Sequence, residues 1–335
     1  MELLKRAYLL ARRNQKRIVL PEGNEHKILR AADILLKQNL AHLILLGDPG
    51  EIRQTAESIG VELGNAELVN PLDDPRRAIY ADLMATLRGD KGLTREEAFE
   101  MLDDPLVFAP LMLKNGDADG EVAGAVRLSG DVLRPAFQFI QKRPEVTSVS
   151  GASFIFTNNP EFGYEGFLVF ADCSVIPSPD SHQLAEIAVL TARTTRMILG
   201  VEPRVAMLSF STKGSASHPL VDKVVEATRL AREMDPDLIV DGELQLSAAL
   251  SPKVAEIMAP GSDVAGRANV LIFPGLESAN IGYSLMQHIA NAEAIGPVLQ
   301  GMSAPVNHIS RGCTVIQLVN LVTLTALQAL GIGEF

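Results

Sequence analysis

A chain of 335 residues that is 47% hydrophobic, with a mean hydropathy of +0.15, holds enough apolar material for one large or two medium cores, which excludes a disordered chain. Its formal net charge of -11, with no block of like sign, argues against nucleic acid or an anionic membrane surface as the main partner, so any anionic ligand must meet local cations. Cys173 and Cys313 lie far apart outside any CxxC pattern and the six histidines are scattered, so neither a disulfide framework nor a metal site is expected.

The first segment, MELLKRAYLLARRNQKR, reads as an amphipathic helix without the apolar core of a signal peptide. Its basic face (Lys5, Arg6, Arg12, Arg13, Lys16, Arg17) is read as solvated surface, with an acidic partner as the alternative. No run of about 18 apolar residues occurs, and the cytoplasm is the expected compartment. Short β-rich apolar runs then alternate with helical patterns: RIVLPEG before 25–38, AHLILLG before 48–59, RVAMLSF before 219–234, DLIVDG before 244–250 and NVLIFPG before 278–293. That alternation predicts an α/β fold with a largely parallel sheet. Near 144–178 the style changes: SVSGASFIFT and GFLVFADCS, separated by the turn-rich NNPEFGYEG, predict a hairpin at the edge of a second subdomain.

Ligands of doubly wound sheets collect at the carboxyl ends of the strands, which draws attention to PEGNE, STKGSASHP, DGELQ and PGLESANIG. Lys213 is followed by Gly214, so STKG lacks the Walker spacing, and no GxGxxG follows a strand. Such turns suit phosphate at a helix N-terminus and equally suit ordinary helix caps. In GDADGEVAGAVRLSGDVLRPAF the repeated glycines allow close approach of the backbone to a ligand, and Arg134, beside Pro135 near an expected helix start, can fork onto phosphate. The alternative is that Asp131 caps that helix and pairs with Arg134.

PVNHISRGCTVIQLVNLV, residues 305–322, poses the same choice. If Ser310 caps a helix running to about Leu330, Arg311 falls in its first turn, where a cation opposes the macrodipole and suggests an anion nearby. Ser310, Cys313, Thr314, Gln317, Asn320 and Gln328 then share one side, read as a polar face touching water or another subunit.

LPEG (20–23), GDADGEVAGA (116–125), SGDVLRPAFQ (129–138), FADCSV (170–175), RVAMLSFSTKGSA (204–216), DGELQ (241–245), APGSDVAGRANVLIFP (259–274), NIGY (280–283) and GPVLQGMSAPVNHISRG (296–312) resemble, in order and spacing over essentially the whole chain, the motifs of the phosphate acetyltransferases (phosphotransacetylases). The resemblance implies two α/β domains with largely parallel sheets and an interdomain cleft, an isocitrate/isopropylmalate-dehydrogenase-like architecture. Domain I would be 1–143 plus 298–335, and domain II 144–297. It implies a homodimer exchanging acetyl between coenzyme A and phosphate, with no permanently bound cofactor and no metal. CoA thiolate would attack acetyl phosphate directly in a ternary complex.

Position by position, Ser310 matches the serine thought to stabilise the reacting carbonyl, Arg311 the arginine on the phosphoryl group and Arg134 a second phosphate-binding arginine. Ser129 and Asn307 join that acyl-phosphate site. Arg88 matches an arginine associated with the CoA 3′-phosphate, and Ser211, Thr212 and Lys213 are assigned to CoA. The family's carboxylate two turns beyond SRG is Gln317 here, and an amide is no base near neutral pH. Carboxylates usual in the family are also replaced by His308, Gly275 and Ser247. Three readings remain: a working phosphate acetyltransferase in which water, phosphate or His308 takes the thiol proton; an acyltransferase for a longer group such as butyryl; or a CoA- or acyl-phosphate-binding regulatory protein of impaired activity.

Overall fold

The computed structural model describes residues 2–331. Strands β1 (Arg17–Leu20), β2 (His42–Leu46), β3 (Glu67–Val69), β4 (Gly120–Ala123), β5 (Ser150–Phe156), β6 (Phe167–Ala171), β7 (Val205–Leu208), β8 (Val240–Leu244), β9 (Val270–Ile272), β10 (Glu293–Gln300) and β11 (Val306–His308) alternate with helices. The helices are α1 (Glu2–Arg13), α2 (His26–Lys37), α3 (Pro49–Ser58), α4 (Arg77–Arg88), α5 (Arg95–Met101), α6 (Pro105–Asn115), α7 (Ser129–Phe139), α8 (Ser181–Leu199), α9 (Pro219–Met234), α10 (Leu246–Leu250), α11 (Pro252–Met258), α12 (Leu276–His288) and α13 (Val315–Gly331).

Two compact units result, one of 2–142 with 302–331 and one of 143–301. The first holds a parallel sheet of order β11-β4-β1-β2-β3. Its strands carry helices on both faces, which is why Ile18, Val19 and Leu20 are all buried in place of alternating in and out. α2 buries Ile28, Leu29, Ala31, Ala32 and Leu35, a 3.6-residue stripe, and Asp48 caps α3 by accepting from the Glu51 N–H at 2.8 Å.

The second unit holds a sheet of order β10-β5-β6-β9-β7-β8, in which the predicted hairpin, β5 and β6, is antiparallel and β6, β9, β7 and β8 run parallel. β10 pairs antiparallel with β5 as far as Gln300 opposite Ser150. Residues 298–300, expected in domain I, therefore belong with the second unit.

The last helix differs from expectation in start and surroundings. α13 begins at Val315, so Ser310 and Arg311 lie in the loop before it and the macrodipole argument for Arg311 does not apply. It is apolar nearly all round, with Leu318, Leu321, Val322, Leu324 and Leu327 buried, as befits a helix enclosed by neighbours. Asn320, Thr325 and Gln328 along it are buried too: the Tyr8 hydroxyl donates to Asn320 Oδ1 at 2.5 Å, and the Asn307 amide donates to Thr325 Oγ1 at 2.8 Å and to Gln328 Oε1 at 3.0 Å. Asn320 and Gln328 thus form an internal polar seam instead of a wetted face, because an unpaired buried amide costs more than a paired one.

Candidate active site

Because the strands of the first unit are parallel, the segments after β1, β4 and β11 emerge on the same edge of the sheet. Glu22, just past β1, sends its carboxylate into the segment after β4. Oε2 accepts from the N–H groups of Gly124 and Ala125 at 2.9 and 2.8 Å, and Oε1 from those of Val126 and Arg127 at 2.9 Å each. Charge-assisted bonds of this kind are about twice as strong as neutral ones, so this single carboxylate sets the conformation of residues 124–127.

Gly124 sits at φ +105°, and a Cβ there would meet the Ile309 carbonyl at 2.5 Å and His308 Cδ2 at 2.8 Å. The glycine lets the loops after β4 and β11 touch.

The same loops bring His308 Nε2 to 2.8 Å from Ser129 Oγ, at the first residue of α7. Burial moves the His308 pKa below its ordinary value, against an upward pull from the Glu22 charge. α7 begins at Ser129, earlier than the sequence suggested, with Leu128 at the cap position and Pro135 inside the helix. Asp131 lies 3.9 Å from Arg127 and neither caps the helix nor pairs with Arg134. The Arg134 guanidinium, on the exposed side of α7, has no ion-pair or hydrogen-bond partner among the described residues.

After β11, the Ile309 N–H donates to the Ala123 carbonyl at 2.8 Å and Lys27 Nζ donates to the Arg311 carbonyl at 2.5 Å, which fixes the loop at both edges. Ser310 Oγ accepts from the Gly312 N–H at 3.3 Å, leaving the hydroxyl hydrogen to donate elsewhere. The Arg311 side chain is exposed and, like Arg134, has no partner among the described residues. Two guanidinium groups and a hydroxyl donor suit a phosphoryl ester carrying a carbonyl.

Gln317 has a structural role. Its backbone N–H donates to Thr314 Oγ1 at 3.2 Å, and its Oε1 accepts from the Thr314 N–H at 2.9 Å, a reciprocal capping box that starts α13.

Asn307 does not join the cluster: it is fully buried, on the opposite face of β11 from His308, and its amide binds α13. Its side chain anchors β11 to α13. Arg88, at the end of α4, lines a cavity of about 680 Å³ together with Lys91, Leu93, Glu97 and Gln138.

In the second unit, the hydroxyls assigned to CoA are committed internally. Ser211 is fully buried and donates to Glu243 Oε1 at 2.9 Å, while Thr212 Oγ1 accepts from the Gln245 N–H at 2.9 Å. Lys213, at φ +49°, pairs with Asp241, which Arg232 and Ser262 also hold at 2.9 and 2.6 Å. Burial pushes Asp241 upward, but the bonds from Lys213 and Ser262 keep its carboxyl below the usual range. The loop is therefore built by its own side chains, and Lys213 lines a cavity of about 740 Å³ with Arg232 and Asp241 on its wall.

A profile described as phosphate acetyl/butaryl transferase matches residues 2–326. A phosphate acetyltransferase of Thermoanaerobacterium thermosaccharolyticum is 53% identical over 95% of this chain and 97% of its own length. One from Clostridium acetobutylicum is 46% identical over 98% and 99%. The solved phosphotransacetylase from Staphylococcus aureus superposes with a TM-score of 0.90 at 40% identity, covering 98% of each chain. Fold and relatives together define an acyltransferase with two mostly parallel α/β sheets. The chain belongs to the phosphate acetyl/butaryl transferase family.

Proposed function

We propose that this protein catalyses acetyl-CoA + phosphate ⇌ acetyl phosphate + CoA by direct transfer in a ternary complex. Arg311 and Arg134 hold the phosphoryl oxygens, and the Ser310 hydroxyl donates to the carbonyl oxygen as it gains negative charge. Ser129 lies at the same edge of the sheet. Arg88 and Lys91 receive the phosphates of CoA. CoA enters as substrate and no permanent cofactor takes part. The protein works in the cytoplasm as a homodimer, the pairing supported by the exposed Ile281, Leu285 and Ile289 along and just beyond α12.

The observation that carries the proposal is the pair of exposed, unpartnered guanidinium groups on the segments after β4 and β11, beside a serine whose hydroxyl hydrogen is uncommitted. The acetyl names of relatives at 46–53% identity support acetyl over longer acyl groups.

The test is thioester consumption with acetyl-, propionyl- and butyryl-CoA in phosphate. Acetyl-CoA should give the highest kcat/KM, and Arg311→Ala should lower kcat/KM by about 10–100-fold, the worth of a charged hydrogen bond to phosphate. Preference for butyryl-CoA would transfer the protein to the longer-chain acyltransferases. Absence of turnover with CoA binding intact would make it a regulatory protein.

A further inference from the structure

Transfer from acetyl phosphate to CoA requires a proton to leave a thiol of pKa about 8.5, and a side chain near the Ser310–Arg311 loop would accept it faster than water. The carboxylate of Glu22 is consumed by four backbone N–H groups. The Gln317 amide is no base and closes the cap of α13. Asp131 lies toward Arg127. His308 remains. It ends the strand that leads into the Ser310–Arg311 loop, its ring is packed against Gly124, and its Nε2 is 2.8 Å from the exposed Ser129 hydroxyl.

We propose that His308, acting through Ser129, is the proton acceptor for the CoA thiol. This assignment rests on the acetyl-transfer reading given above. With the proton of the imidazole on Nδ1, Ser129 donates its hydroxyl hydrogen to Nε2 and takes the thiol proton in exchange. The S–H bond breaks and the thiolate attacks the carbonyl carbon. A C–S bond forms, the C–O bond to the phosphoryl group breaks, and the phosphate leaves with that electron pair. The imidazolium returns its proton through Ser129 to the departing phosphate, so acetyl phosphate and CoA become acetyl-CoA and hydrogen phosphate with no net proton.

The surroundings fit a neutral imidazole. The charge that acts on the ring is that of Glu22, after β1; Lys27 on α2 is turned to the Arg311 carbonyl and Asp131 on α7 lies toward Arg127. Glu121, on the adjacent strand β4 and the same sheet face, is fully buried with neither oxygen partnered and is held neutral by that burial. Burial of the ring lowers the His308 pKa, so the base form dominates at neutral pH.

The experiment is the pH profile of kcat in the acetyl phosphate plus CoA direction for the wild type, His308→Gln and Ser129→Ala, with KM for both substrates. The wild type should lose rate on an acid limb below about pH 6.5. In His308→Gln that limb should vanish and kcat should fall by about 10²–10⁴, with both KM values within about threefold. Ser129→Ala, at an exposed position that leaves the core intact, should lower kcat at least about tenfold. Either variant with kcat within about threefold of the wild type, or an acid limb that persists in His308→Gln, overturns the assignment while the transferase reading stands. A wild type without turnover at any pH instead removes the transferase reading. Should His308→Gln fail to fold, Ser129→Ala and the wild-type limb decide the matter.

Discussion

Glu22 offers a sharp test of how this edge of the sheet is built. Its two oxygens accept four backbone hydrogen bonds of 2.8–2.9 Å from residues 124–127, and the loop so fixed delivers Ser129 to His308. Gly124 and Ala125 are buried, whereas Val126 and Arg127 are exposed, so the two pairs of N–H groups respond differently to loss of their acceptor. In Glu22→Gln the remaining oxygen can keep the buried pair while water takes the exposed pair, a loss of about 2–3 kcal/mol at 1–1.5 kcal/mol per bond exchanged. Glu22→Ala leaves the buried pair without any acceptor, which adds about 1–3 kcal/mol for each and brings the total to about 4–9 kcal/mol. Urea denaturation of the two variants measures this order, and steady-state acetyl transfer should show kcat reduced at least about tenfold in Glu22→Gln because Ser129 loses its fixed position. A Gln variant within about 0.5 kcal/mol of wild type and with unchanged kcat would refute the reasoning.

Three further outcomes are expected. Asn307→Ala should cost about 1–3 kcal/mol by stripping Thr325 and Gln328 of a partner, with KM for acetyl phosphate unchanged; a tenfold rise in KM would return Asn307 to the substrate site. Glu121→Leu should stabilise the protein at pH 8 by about 1–3 kcal/mol, since a fully buried carboxyl without partners is replaced by an apolar group. The folded-state pKa of Glu121 is raised by burial and by the Glu22 charge, so its proton favours the folded state. Wild-type stability should therefore fall as pH rises through and above about 4.3, and equal urea midpoints for variant and wild type across pH 5–8 would contradict this. Gln317→Asp should leave turnover within about threefold while weakening the start of α13, as thermal melting would record; a tenfold gain in kcat would show that a missing base at this position limits the reaction.

Much of the architecture was legible because apolar runs of four or five residues followed by amphipathic stretches leave few alternatives to parallel β-α units. The 205–208 strand and the 219–234 helix appear where the pattern put them. The beginnings of α7 and α13 were less readable. α7 opens on Leu128 without a side-chain cap and carries Pro135 in its interior, contrary to the usual placement of proline. For α13, Ser310 was read as the cap, but the helix starts on the T-x-x-Q capping box of Thr314 and Gln317, which satisfies two backbone groups at once. Arg134 and Arg311 were singled out in the sequence by the motifs around them, and in the structure both guanidinium groups are exposed. Glu22 was missed: its four partners lie 102–105 residues away, and no local feature of PEG foretells them. The commitments of Ser211 and Asn307 were equally hidden, because a hydroxyl or amide in a motif looks the same whether it faces a ligand or its own core.

The carboxylate of Glu22 also bears on how long a phosphate stays. Backbone amides gathered at a strand-to-helix turn are the grip by which many proteins retain a nucleotide as a resident. Here those amides already hold an anion tethered to the chain itself, which an incoming phosphate cannot outcompete. Under the proposed function, recognition is left to the exposed guanidinium groups of Arg134 and Arg311, which can bind and release without dismantling the loop. Such a hold is suited to a passenger that must depart at every turnover.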